Sequence, residues 1–230
     1  MEILYEDNHI IIVNKRSGEI VQGDKTGDEP LSETLKRYIK ERDAKPGNVF
    51  MGVVHRLDRP VSGVVMFAKT SKALSRLNAM FASGDIHKTY WAITRNEPAQ
   101  PAATLTHYIT TVERNNKSYA SLTPRPGAKE ARLSYRLIAR SERYNLLEVN
   151  LMTGRKHQIR VQLSAIGCPV KGDLTYGDKR SNPGGSISLH ARRIRFIHPV
   201  SKEEIDITAP VPQNDNLWLA LEQAASTSAQ

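Results

Sequence analysis

The chain has 230 residues, 39% of them hydrophobic, which is enough for one large domain or two small ones around a sizeable core. Its 33 Lys and Arg against 24 Asp and Glu leave a net charge of +9, pointing to an anionic partner with nucleic acid first in line. A single cysteine, Cys168, excludes an intrachain disulfide and fits a reducing, cytoplasmic setting.

The opening Met1-Glu2-Ile3-Leu4-Tyr5-Glu6-Asp7 is acidic, and the apolar run Ile10 to Val13 is too short for a signal peptide or a membrane span. Seven histidines and one cysteine fall into no metal-ligand spacing, and no glycine-rich phosphate loop appears. No metal and no cofactor are expected, and neither is a membrane or an obligatory protein partner. A monomer is the expectation.

Ile3 to Tyr5 and Ile10 to Val13 read as strands joined by a polar turn, followed by a loop over residues 15–28. Leu31, Leu35, Tyr38 and Ile39 recur at helical spacing, predicting a helix that ends near Arg42, before Pro46-Gly47. Val49 to Val54 and Gly63 to Ala68 predict two strands around His55-Arg56-Leu57-Asp58-Arg59-Pro60-Val61-Ser62-Gly63. A turn at the end of a buried strand is where a scaffold presents reactive groups. Taken alone, however, Asp58 is first of all an ordinary turn former.

A second helix is predicted from an N-cap at Thr70 or Ser71 to a stop at Gly84, with Leu74, Leu77, Met80 and Phe81 as a core stripe. Lys88 to Ile93 is rich in β-formers, and several more strands follow between Thr104 and Leu151, with no domain boundary at Pro98 to Pro101. From Thr153 to Gly167, Ile159, Leu163 and Ile166 make an apolar helical face, and Lys156 is expected to project with Arg160 at i, i+4. Leu189 to His198 alternates as a strand, with Arg193 and Arg195 on one face and Ile194 and Phe196 on the other. A final helix over 214–225 precedes a tail, 226–230, expected to be frayed.

Residues 153–200 hold nine Lys or Arg (155, 156, 160, 171, 179, 180, 192, 193, 195) against Asp173 and Asp178 alone. That is most of the chain's excess charge in about a fifth of its length, a pattern that favours phosphate binding over a merely solvated face.

Three ordered segments together resemble the RluA-type family of RNA pseudouridine synthases. They are His55-Arg56-Leu57-Asp58 with Ser62-Gly63 and Ala68-Lys69, then Lys88-Thr89-Tyr90, then Thr153-Gly154-Arg155-Lys156-His157-Gln158-Ile159-Arg160. Pro169-Val170 with Gly172-Asp173 and Tyr176-Gly177 extends the third, and Val13-Asn14-Lys15 is similar to the family's opening. The resemblance runs from about Leu4 to Pro199. Arg16, Pro60-Val61, Lys156 and Gln162 depart from residues frequent in the family, which puts substrate choice rather than activity in question. The small N-terminal S4-type RNA-binding domain of many relatives is expected to be missing, leaving the catalytic domain itself to grip RNA.

The resemblance implies one α+β domain over 1–230 with a mixed, largely antiparallel sheet and flanking helices. It implies conversion of specific uridines to pseudouridine in structured rRNA or tRNA without a cofactor. Breaking the glycosidic bond, turning the base and rejoining it through carbon needs an anionic nucleophile, and Asp58 is the family's residue for it. Whether it attacks C1′, attacks C6 or first takes a proton is left open. Arg160 is its implied ion-pair partner, Tyr90 the aromatic that stacks on the target base, and Arg56 the residue that fills the space of the flipped nucleotide. Arg59, Lys156, Arg192, Arg193 and Arg195 are assigned to phosphates, while His55 and His157 are expected to organise the loop and the helix start. The rival readings are an RNA-binding or chaperone protein of this fold without turnover, and a nucleoside hydrolase. The second lacks the paired carboxylates or metal such enzymes use.

Overall fold

The structure, a computed structural model, describes residues 1–24 and 26–228. In chain order the strands and helices are β1 (Glu2–Glu6), β2 (Ile10–Lys15), α1 (Leu31–Arg42), β3 (Gly52–Val53), β4 (Ser62–Ala68), α2 (Ser71–Ser83), β5 (His87–Thr94), β6 (Ala102–Val112), β7 (Lys117–Ser121), β8 (Lys129–Arg140), β9 (Asn145–Leu151), α3 (Gln158–Ala165), β10 (Leu189–Ile197), β11 (Glu204–Thr208) and α4 (Asn216–Ser228). The expected α+β class with a largely antiparallel sheet is what the chain adopts. It divides into two compact units, Met1–His87 with Ala191–Pro210, and Lys88–His190 with Val211–Gln230.

In the first unit β1, β2, β4 and β10 lie side by side, with β11 antiparallel to β10. Ile10, Ile12, Val64, Met66, Ile194 and Phe196 bury one face against Ala73 and Leu77 of α2. That helix is closed at both ends as its sequence predicts. The Thr70 hydroxyl accepts the Ala73 N–H at 3.1 Å, and Gly84 takes the left-handed conformation at φ 84°. The alternation in β10 also holds, with Ile194 and Phe196 buried and Arg193 and Arg195 exposed.

The strand predicted over 49–54 shrinks to Gly52–Val53. A side chain cuts it short: the Met66 N–H of β4 donates to His55 Nε2 at 3.1 Å instead of to a strand carbonyl, and the ring lies 5.1 Å from Phe81. From that point the chain leaves the sheet as the 54–61 loop.

Four consecutive carbonyls of this loop have donors. Asp58 O accepts from the Val61 N–H at 3.0 Å, Arg59 O from the Gly18 N–H at 2.8 Å, and Pro60 O from the Ser17 hydroxyl at 3.0 Å. The Lys15 ammonium donates to Arg16 O at 3.0 Å, Arg59 O at 3.1 Å and Val61 O at 2.6 Å. Lys15 is 1% exposed and sits at the end of β2, whose register places it opposite Gly63 of β4. Gly63, at φ 112°, has the Ala191 carbonyl oxygen 2.3 Å from where a Cβ would stand. Any side chain there would push β10 off β4.

In the second unit the order is β5-β9-β8-β6-β7, with each of these neighbouring pairs antiparallel. Helix α4 packs on β8, burying Trp218 and Leu221 with Trp91, Ile93 and Leu146. Ser226–Ser228, expected as a frayed tail, continue this helix: the Ser226 and Thr227 hydroxyls bond back to Glu222 O at 2.9 Å and Gln223 O at 3.1 Å. Residues 229–230 of that expected tail lie outside the described residues.

Burying Lys15 removes water from its ammonium and lowers its pKa from the ordinary 10.5 to about 8. Between those values the unfolded chain holds more protons than the folded one, so this group's contribution to stability increases as pH rises from about 8 to 10.5. Lys15→Met takes the ammonium away from Arg59 O and Val61 O of the 58–61 turn and is expected to destabilise by roughly 1–3 kcal/mol. Denaturant titrations of both proteins across this range should show the wild-type advantage growing with pH.

Candidate active site

Asp58 stands in the first unit on the loop just described, half-buried, between Leu57, which is buried, and Arg59, which is exposed. The buried Lys15 ammonium of the same unit and the Asp58 carboxylate attract each other. With its flanking carbonyls tied, Asp58 is a carboxylate on a rigid turn rather than on a free loop tip. Arg56 is exposed on the same loop. Arg59 is committed locally: its Nε donates to Gly18 O at 3.0 Å and its guanidinium pairs with Asp28.

Tyr90 and Arg160 stand in the second unit. Tyr90 lies on β5, opposite Val149 of β9, and is 7% exposed. Arg160 lies in the first turn of α3 and is 6% exposed. Its guanidinium grips Asp173 with two bonds, Nε to Oδ2 at 2.7 Å and Nη2 to Oδ1 at 3.0 Å, and Asp173 is only 1% exposed. The cation also lies 4.9 Å from the centre of the Tyr176 ring. A charge pair this deeply buried is held by its geometry, and removing one partner leaves the other uncompensated at a cost of roughly 3–5 kcal/mol.

The start of α3 explains why Arg160 points inward. His157 precedes the helix with φ 55°, a left-handed residue that breaks the helical register before Gln158. Lys156 and Arg160 therefore do not project together, contrary to the i, i+4 expectation. Lys156 turns outward to Glu113 at 2.9 Å. His157 is fixed by its Nδ1, 2.8 Å from the Tyr176 hydroxyl. That hydroxyl also accepts the Ser118 N–H at 2.8 Å, and burial raises its pKa. His55 and His157 thus organise the loop and the helix start, as their positions in the motifs imply.

The basic segment 153–200 is less bare than its composition indicates. Arg193 pairs with Asp206 and Arg195 with Glu204 across the β10–β11 ladder, and Arg192 Nη1 donates to Ala209 O at 2.6 Å. The acids come from outside the segment, where a running count does not see them. Exposed pairs of this kind are worth about 0–1 kcal/mol, so a phosphate can displace them.

Gln162, a departure taken to bear on substrate choice, is fully buried. Its amide donates to His107 Nδ1 at 3.0 Å and to the carbonyls of Leu105 and Ala131 at 3.3 and 3.2 Å. It serves the join of α3 to the sheet. Lys15, Asp173 and Tyr176 received no role from their sequence positions. For Asp173 a signal was present: one of two acids among nine bases invites a search for the base it neutralises.

Comparison with known proteins identifies the family. The sequence profile of the family described as RNA pseudouridylate synthase matches residues 9–165. The ribosomal large subunit pseudouridine synthase D of Xanthomonas campestris pv. campestris is 31% identical, covering 100% of this chain and 72% of its own length. The tRNA pseudouridine synthase C of Vibrio vulnificus is 32% identical over 96% of this chain and 94% of its own. Among solved structures, human RNA pseudouridylate synthase domain containing 4 shares the fold with a TM-score of 0.78 at 23% identity, covering 98% of this chain and 93% of that one. The chain belongs to the RNA pseudouridylate synthase family, RluA type, and is an RNA pseudouridine synthase, an isomerase.

Proposed function

We propose that the protein converts specific uridines of structured rRNA or tRNA to pseudouridine, with Asp58 as the reacting carboxylate and Arg160 and Tyr90 as its catalytic companions. The observation that carries this reading is the 54–61 loop, which presents Asp58 on a turn whose carbonyls are all tied down. A nucleophile that must reach one carbon of a rotated sugar gains most from such fixing, because orientation is settled before the substrate arrives. The Asp58 carboxylate acts as the N1–C1′ bond breaks, the freed base turns, and C5 bonds to C1′ and gives up its proton while N1 takes one, leaving the carboxylate free again. Arg160 balances the carboxylate, and Tyr90 stacks on the base.

Arg56, exposed on the same loop, fills the gap left by the flipped nucleotide. Flipping costs a few kcal/mol, so unpaired loops are preferred substrates. Arg59, Lys156, Arg193 and Arg195 exchange their acidic partners, and Arg192 its bond to the Ala209 carbonyl, for phosphates. The two named relatives act, by their names, on the large ribosomal subunit and on tRNA, which supports this substrate class. All of 1–230 serves as one catalytic domain, working as a cytoplasmic monomer without a cofactor. Among the described residues no helix is long and apolar enough to cross a membrane.

RNA transcripts carrying tritium at uridine C5 test the reaction. Release of tritium with formation of pseudouridine is the expected result, whereas free uracil would indicate a hydrolase and binding without release a protein that has lost turnover. RNA affinity should fall with salt, log K against log salt having a slope of about −0.7 per phosphate contacted. A flat dependence would remove the basic residues from the RNA surface.

A further inference from the structure

We propose that Asp173 is a positioning residue for this reaction: by clamping one edge of the Arg160 guanidinium, it sets the direction in which Arg160 presents its other N–H groups to the reacting carboxylate and uridine. The inference rests on the proposed role of Arg160 and goes beyond it, since it assigns the residue that makes that arginine competent.

The geometry is specific. Nε–H and one N–H of Nη2 lie on the same side of the planar guanidinium, and this is the edge that Asp173 takes, at 2.7 and 3.0 Å. Nη1 and the second N–H of Nη2 form the opposite, end-on edge. A bidentate grip leaves the plane no freedom to turn, so the end-on edge has one orientation. The Tyr176 ring, 4.9 Å from the guanidinium carbon, holds the plane from one face.

Asp173 is itself held. Its N–H donates to Val170 O at 3.0 Å, and its carbonyl accepts the Asp178 N–H at 3.0 Å and the Tyr176 N–H at 3.2 Å. Gly172 before it, at φ 88°, has Asn182 2.7 Å from where a Cβ would stand, so the turn is locked from both sides. An arginine has several rotatable bonds, and left alone it spends much of its time in unproductive conformers. The carboxylate removes that search before substrate binds. Burial matters as well: in a dry pocket the pair cannot be loosened by water or salt as an exposed pair can.

Asp173→Asn keeps the shape but weakens the clamp. Single-turnover conversion by the folded variant should fall on the order of a hundredfold, with RNA affinity unchanged. A merely structural Asp173 would lower thermal stability and leave the rate of the folded fraction alone. A second measurement does not depend on that variant's fold. Arg160→Ala should lose conversion and regain part of it on adding guanidinium ions, which the Asp173 carboxylate seats in the vacated position. Arg160→Ala combined with Asp173→Ala should show no such recovery. Wild-type rate in Asp173→Asn beside an inactive Arg160→Ala would overturn the proposal, as would equal guanidinium recovery with and without Asp173. Full activity in Arg160→Ala would instead remove the role of Arg160, and the proposal with it.

Discussion

A lysine ammonium buried at the end of a strand is the constraint from which the Asp58 loop follows. Lys15 cannot lie 1% exposed without acceptors for its hydrogens, and the carbonyls of Arg16, Arg59 and Val61 are the ones it finds. A loop segment that must bring those oxygens to one point has little freedom left, and the Gly18 and Ser17 donors remove more of it. The arrangement is costly, as the lowered Lys15 pKa records, and the cost falls on the stability of the unit rather than on its chemistry. Gly63 completes it, since only a residue without a side chain lets β10 approach so near the base of the loop.

The second unit solves the corresponding problem with opposite charges. There a carboxylate and a guanidinium are buried together, and an aromatic hydroxyl, a histidine and a backbone N–H settle the surroundings. Both units therefore spend burial on holding one ionised group still. Rigid placement of charge before substrate arrives is the usual source of electrostatic catalysis.

Much of this was legible in the sequence where the signals are local. The helix over 71–83 carried its cap residue and its terminating glycine, and α1 its apolar stripe ending at Arg42. The alternation in β10 gave the faces of Arg193 and Arg195. The motifs gave Asp58, Tyr90 and Arg160 as candidates. What failed depends on contacts between distant residues or on single backbone angles. The left-handed His157 turned Lys156 away from Arg160, which no propensity foretells. The histidine that replaces a strand carbonyl shortened β3. Glu113 between β6 and β7 and acids on β11 offset a basic segment, and Gln162 turned out to be a core residue because three acceptors converge on it.

At the centre of the account is Asp58 as the group that reacts with the uridine. Asp58→Asn changes one oxygen to an amide on a turn that is otherwise tied through its backbone, so fold and RNA affinity should persist. Single-turnover conversion of a target RNA, measured beside binding, is the most direct test. The account predicts affinity close to wild type and conversion reduced by about 10⁴-fold or more. Conversion at a rate near wild type by the folded, RNA-bound variant would contradict it.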